Sequence, residues 1–286
     1  MDINDLDWNA MWKESGVHSP WTKQSRRELW EKQADSFNKR IIRVKSETAE
    51  TDKDDYISKM LGRIALEPEF TVLDIGCGPG TLTIPLAKKV KSVTALDISG
   101  QMLKYLKANA ENDGVDNIRY INAAWEDALA ANHIEKHDVV VASRCITPVD
   151  IKETFSMLAA VARHSVYVTV PVVHLPFDWE IYRVIGRGNK KHPSYIYILN
   201  ALYQMGIQAN LEILYSRIRV YFPTIEEAIA DLQWRTTPFT DIEKQRLIKY
   251  LKIKFAEQNG SLTHEGKSKW ALIWWNIQDN DLFMGS

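Results

Sequence analysis

The residues best arranged for chemistry lie between Val72 and Asp97. Val72-Leu-Asp-Ile-Gly-Cys-Gly-Pro-Gly80 ends an apolar run in an acid, Asp74, and then places glycine at every second position, Gly76, Gly78 and Gly80. Glycine lets a backbone turn tightly and approach a ligand where any Cβ would obstruct it. The pattern of residues 81–90 predicts a helix whose electropositive N-terminus faces the same turn. A second apolar run, 92–96, predicts a strand, and Asp97 at its end is placed to accept hydrogen bonds from ribose hydroxyls. Strand, glycine turn, helix, strand and acid together predict a site for a nucleoside.

The spacing narrows which nucleoside. A dinucleotide fingerprint runs G-x-G-x-x-G, its last glycine seating the helix against the strand while the turn holds a pyrophosphate. Asp74-x-Gly76-x-Gly78-x-Gly80 is one residue shorter. An acid at the strand tip would repel a pyrophosphate and would suit an ammonium or a sulfonium. D-I-G-C-G-P-G-T-L-T, followed after the second strand by L-D-I-S-x-x-M-L, resembles the glycine-rich and post-strand-2 motifs of class I S-adenosylmethionine-dependent methyltransferases. The resemblance covers roughly Phe70 to Val173. A NAD-dependent oxidoreductase is the competing enzyme class, and the shortened glycine spacing disfavours it.

The resemblance implies S-adenosyl-L-methionine as cofactor and a role for each strand end. Backbone around Gly76, Gly78 and Gly80 would approach the methionine part, Asp74 would hold its ammonium, and Asp97 the ribose. Ile98 and Met102 would contact the adenine face, where a polarizable thioether suits an aromatic ring. After the third strand the chain reads Asn122-Ala-Ala-Trp125-Glu126-Asp127. Many relatives carry an acid at the position of Ala124, so adenine recognition would fall to backbone at Trp125 or to the carboxylate of Glu126 or Asp127, with the indole of Trp125 over the ring. The fourth strand ends in Ser143-Arg144-Cys145, where Ser143 would face the methyl group. The Asn/Asp-Pro-Pro-aromatic motif of base-amine methyltransferases is missing there. Arg144, able to orient an anion, and His174, after the fifth strand, are the weak catalytic candidates.

The elements that must position these residues follow from periodicity. Strands are predicted at 71–75, 92–96, 118–122, 138–142 and 165–173, with helices at 81–90, 100–112 and 150–163 between them. Val-rich strands alternating with helices predict a doubly wound α/β fold with a mainly parallel sheet covered on both faces; the resemblance raises the count to seven strands. Residues 1–55 are expected to form an N-terminal helical cap. Residues 56–286 would be the core, with insertions at about 176–193 and 223–262. Helices are predicted at 224–234, opened by a Thr224–Glu227 capping box, and at 241–258, between strands at 211–222 and 269–277.

Composition bounds the partners. The 286 residues carry a formal net charge of −1, so no global basic surplus recruits a polyanion. The two cysteines, Cys77 and Cys145, lack metal-ligand spacing, and reduced thiols suit a cytoplasmic setting. No metal is expected, no apolar run reaches membrane-spanning length, and the acidic start, Met1–Asp7, is no export signal. Trp8, Trp12, Trp21 and Trp30 either anchor the first helices or help to close an apolar pocket over a small-molecule acceptor. The basic residues Lys23, Arg26, Arg27, Lys39, Arg40, Arg43 and Lys45 are the argument for the alternative, an RNA or protein methyltransferase. A non-catalytic cofactor-binding protein of the same fold is the third reading. A monomer or a homodimer is expected, the dimer through an edge strand bearing Trp274 and Trp275.

Overall fold

A computed structural model describes residues 6–15, 22–47, 55–131, 134–172, 176–187, 194–233, 238–258 and 260–277. Three helices come first, α1 (Trp8–Glu14), α2 (Lys23–Glu47) and α3 (Asp55–Arg63). Strand and helix then alternate through β1 (Thr71–Ile75), α4 (Thr83–Ala87), β2 (Ser92–Asp97), α5 (Gly100–Asn112) and β3 (Ile118–Asn122). The alternation continues with α6 (Trp125–Ala130), β4 (His137–Ser143), α7 (Ile151–Ala160) and β5 (Ala162–Pro171). The remainder is α8 (Pro176–Ile185), α9 (Tyr195–Gln204), β6 (Asn210–Phe222), α10 (Ile225–Gln233), α11 (Asp241–Lys254), β7 (Ala256–Gln258) and β8 (Ser261–Asn276).

The sheet runs β3-β2-β1-β4-β5-β8-β6, with β7 paired to β8 off that path. From β3 to β5 every pairing is parallel, and β8 returns antiparallel to β5. The central strands are covered on both faces, which is why they read as near-continuous Val, Leu and Ile rather than alternating. Val72, Leu73, Val93, Val139, Val140 and Val141 are all fully buried.

Helix starts are written locally. Asp7 accepts from the amides of Asn9 and Ala10, Ser99 from that of Met102, and Asp150 from that of Glu153, so each frees the first helical turn from orphan donors. No helix among the described residues is long and apolar enough to cross a membrane.

The chain divides into two compact units. The first gathers Met1–Pro171, Pro193–Leu214 and Trp270–Ser286. The second gathers Val172–His192 and Tyr215–Lys269, around a core that includes Ile181, Phe222, Leu247, Leu251 and Phe255. In this second unit Arg187 Nε donates to Glu243 Oε1 at 2.7 Å and its Nη2 to Oε2 at 2.8 Å.

Several expectations are corrected. The sheet has eight strands, not seven, because the three residues of β7 pair with the start of β8 where a continuing helix was expected; α11 ends at Lys254. β8 begins at Ser261, not Lys269. The reciprocal capping box falls at Thr240 and Glu243, whereas Thr224 Oγ1 accepts from the Glu227 amide at 3.2 Å. The predicted helix at 81–90 shortens to α4, whose N-cap, Leu82, has no side-chain cap. A helix was missed at α6, six residues being too few for a periodic signal. β8 lies between β5 and β6, and Trp275 is fully buried, so these indoles do not form an exposed edge.

Candidate active site

Parallel register brings the site together. Ile75 pairs with Leu96 on one side and Ala142 on the other, so β1, β2 and β4 end level. Asp97 lies opposite Asn122 at the end of β3. Ligands of such sheets bind outside the carboxyl ends of the strands. The cofactor candidates Asp74, Gly76, Gly78, Gly80, Asp97, Ile98, Met102, Trp125, Glu126 and Ser143, with Arg144, lie at or within a few residues of those ends; His174 and Trp21 lie outside the described residues.

The turn after β1 holds Gly76, Gly78 and Gly80 at φ of 67°, 53° and 93°, the left-handed region where other residues pay for their Cβ. The three glycines are there for different reasons. A Cβ on Gly76 would sit 2.4 Å from Cys145 Cβ, and one on Gly80 would sit 2.2 Å from Leu106 Cδ1. A Cβ on Gly78 would meet nothing within 4 Å. Gly76 and Gly80 therefore serve packing, and Gly78 is the open point of the turn.

The turn spends its amide protons on the protein. Gly76 and Cys77 N–H both donate to Leu96 O, at 2.7 and 3.2 Å. Gly78 N–H donates to Asp97 Oδ2 at 2.9 Å, and Gly80 N–H to Cys77 O at 3.1 Å. Pro79 has no N–H to give. A pyrophosphate needs such donors, and α4 is too short to supply a strong dipole in their place.

The charge at this end of the sheet is negative. Asp74 is buried, and desolvation pushes its carboxyl up to about 7, with the Asp97 charge adding to the rise and a 2.6 Å hydrogen bond from Thr83 Oγ1 opposing it. Burial also raises Asp97, against amide bonds from Ser99 and Gly78, with Glu31 adding a small like-charge push. Among the described residues no basic side chain pairs with either acid. Buried carboxylates without a counter-charge favour a cationic ligand. Burial lifts the thiols of Cys77 and Cys145 well above the ordinary range, so neither is a thiolate nucleophile.

Helix α2 is tied to the segments that follow β2 and β3. Glu31 accepts from the amides of Gly100 at 2.6 Å and Gln101 at 3.2 Å. Arg26 Nη2 donates to Glu126 Oε1 at 2.5 Å, and Lys23 pairs with Asp127. Asn38 accepts from the Asn109 side chain at 3.1 Å. Two members of the basic run are thus engaged with acids of α6; the side chains of Arg40, Arg43 and Lys45 lie outside the described residues. Met102 is buried, while Ile98 and Trp125 are half-buried. Asn122, which sequence reasoning passed over, donates to the carbonyls of Asp97 and Ile98 at 3.0 and 3.1 Å and fixes the bend after β2.

The end of β4 builds the opposite wall. Tyr56, on α3 and fully buried, places its hydroxyl 2.7 Å from both Ser143 Oγ and Thr169 Oγ1. Burial raises its phenol further, so it stays protonated. The Arg144 guanidinium lies over the Tyr56 ring at 4.2 Å and 6.0 Å from the Trp270 ring. Neither Tyr56 nor Thr169 carried a motif that could have flagged it. Trp8 and Trp12 turn out to anchor α1: both rings meet Tyr197, and the Trp12 indole donates to Pro148 O at 2.8 Å.

Comparison with known proteins agrees with this geometry. The family described as methyltransferase domain matches residues 72–165. An uncharacterized protein of Haemophilus influenzae is 34% identical over 223 residues, 78% of this chain and 82% of that protein. An uncharacterized RNA methyltransferase of Nostoc is 29% identical over 141 residues, 49% of this chain and 30% of its own length. The crystal structure of the YcgJ protein of Bacillus subtilis aligns with TM-score 0.52 at 17% identity, covering 77% of this chain and 97% of that one; at that identity it speaks for the fold. Residues 72–165 form a methyltransferase domain, on the fold of the class I enzymes that use S-adenosylmethionine. The site fits that molecule. An open, Cβ-free point and uncompensated buried acids suit a cationic nucleoside without phosphate.

Proposed function

We propose that the protein transfers the cofactor's methyl group to a small-molecule acceptor. Asp97 takes the ribose hydroxyls, Gly78 admits the methionine part with Gly76 and Gly80 shaping the turn, and Asp74 balances the ammonium. Ile98, Met102 and Trp125 contact adenine, with Glu126 held beside them by Arg26. Ser143 and Arg144 face the acceptor. When bound, S-adenosylmethionine supplies a methyl carbon activated by its positive sulfur: an acceptor lone pair forms the new bond while the carbon–sulfur electrons stay on sulfur. The chain's own contribution is alignment and exclusion of water. Tyr56 stays protonated and the nearby thiols carry no negative charge, so none of Tyr56, Cys77 and Cys145 is the base for a proton leaving the acceptor.

The observation that carries the small-molecule reading is the tie between α2 and the ends of β2 and β3, through Glu31, Arg26 and Lys23. A helix fastened there narrows the approach, and it turns Arg26 and Lys23 to protein carboxylates rather than to an RNA backbone. The test is transfer of labelled methyl from the cofactor in a cell extract divided into small-molecule, RNA and protein fractions. Label in the small-molecule fraction supports the reading. Label confined to RNA or protein overturns it.

A further inference from the structure

We propose that Arg144 is the anchor for an oxyanion, a carboxylate or a phosphate, carried by the methyl acceptor. This rests on the small-molecule reading above and names the acceptor's class. Four observations converge on the residue. First, Arg144 follows directly on β4, and the next residue, Cys145, packs against Gly76 and donates its thiol to Ile75 O at 3.0 Å. Arg144 is therefore one residue along the chain from a direct contact with the glycine turn.

Second, Arg144 is the non-glycine residue found at positive φ among the described ones, at 58°. Such backbone persists where the surroundings over-determine it, and it gathers at functional sites. Here the restraint is visible: Arg144 N–H donates to Thr169 Oγ1 at 2.9 Å, and the same hydroxyl meets Tyr56. A glycine would adopt this bend without strain, so the fold bears the cost of an arginine.

Third, the guanidinium lies over an aromatic ring rather than against a carboxylate. Its Cζ is 4.2 Å from the centre of the Tyr56 ring, and among the described residues no carboxylate engages it. A guanidinium held by a ring keeps its donors for an oxyanion, which it can grip two-handed. Fourth, the platform is rigid. Tyr56 is buried and its hydroxyl is held by Ser143 and Thr169, so little ordering cost remains when an anion docks. A guanidinium that served packing alone would need none of this.

The test is calorimetric titration of protein saturated with S-adenosylhomocysteine, using benzoate, phenyl phosphate and uncharged benzamide. We expect saturable binding of at least one anion and none of benzamide; benzoate and phenyl phosphate separate the two headgroups. Arg144→Ala and Arg144→Gln should each weaken anion binding by about tenfold or more, the worth of a charge-assisted pair, with affinity for S-adenosylhomocysteine unchanged. That unchanged affinity reports that the variants fold. The inference is overturned if wild-type protein that binds S-adenosylhomocysteine binds neither anion, if benzamide binds as well as benzoate, or if both variants bind as wild type does. Protein that binds neither S-adenosylhomocysteine nor an anion overturns both readings.

Discussion

Cys145 fills the space that a side chain at residue 76 would need: a Cβ on Gly76 would lie 2.4 Å from Cys145 Cβ and 2.9 Å from its Sγ. Together with a φ of 67°, this makes Gly76→Ala a double fault, a steric overlap plus left-handed strain. The expected cost is about 2–4 kcal/mol, read as a lower urea midpoint. Cys145→Ala in the same chain would remove the Sγ contact but keep the Cβ overlap, so it should recover little of that cost.

Gly78 gives the contrasting result. Its missing Cβ meets no protein atom within 4 Å, so Gly78→Ala should cost only the backbone strain, about 1–2 kcal/mol. The new methyl group would stand in the open point of the turn. Affinity for S-adenosylhomocysteine should therefore fall by tenfold or more by calorimetry, roughly the cost of displacing a close backbone contact. Equal affinity in the variant would show that the ligand does not approach there.

Asp74 predicts a pH dependence. Its folded value, about 7, stands above the ordinary 3.8 of an aspartate. Between these limits the unfolded chain gives up the proton before the folded one does. The stability contributed by this residue is thus full below about 4, falls as pH rises through the window, and is constant above about 7. The whole fall is at most about 4 kcal/mol. Asp74→Asn cannot ionise, so its urea stability should drop less between pH 4.5 and 8 than that of wild type. An ammonium ligand favours the charged form, so wild-type affinity for S-adenosylhomocysteine should rise through pH 7 while that of the variant stays flat.

Tyr56→Phe keeps the ring beneath Arg144 and removes the hydroxyl shared by Ser143 and Thr169. Losing a buried group with two partners should cost about 1–3 kcal/mol, seen as a lower melting temperature. Affinity for S-adenosylhomocysteine should hold, since no cofactor contact is removed. A large loss of cofactor binding would place Tyr56 in the wrong wall of the site.

Glu31→Ala removes the acceptor for two amides at the start of α5 and one tie of α2. The stability cost is expected near 0.5–1 kcal/mol. Hydrogen exchange should quicken at Gly100, Gln101 and along α2, and the cofactor should dissociate faster. Unaltered exchange would mean that α2 is held by its other contacts alone.

What the sequence made legible was what is encoded within a few residues. β1 and β3 fall where their apolar runs placed them, and α5 begins and ends as its pattern indicated. The positive φ at Gly76, Gly78 and Gly80 follows from residue type. The rest depended on distance along the chain. Tyr56 looked like one more core position of an amphipathic helix, because its partners lie 87 and 113 residues away. Ser261–Ser268 carries polar residues and Gly266, so it read as a connection; pairing with β7 draws its start into β8. The role of Glu31 was hidden in a charged helix face where many acids looked alike.

A bend that keeps its amide protons for itself has a further effect. ATP, NAD and their kin share the adenosine of a sulfonium nucleoside. They are held elsewhere chiefly by their phosphates, and this bend extends no hand to a phosphate. A phosphate reaching this bend would thus find the amides of Gly76, Cys77, Gly78 and Gly80 already spent inside the fold.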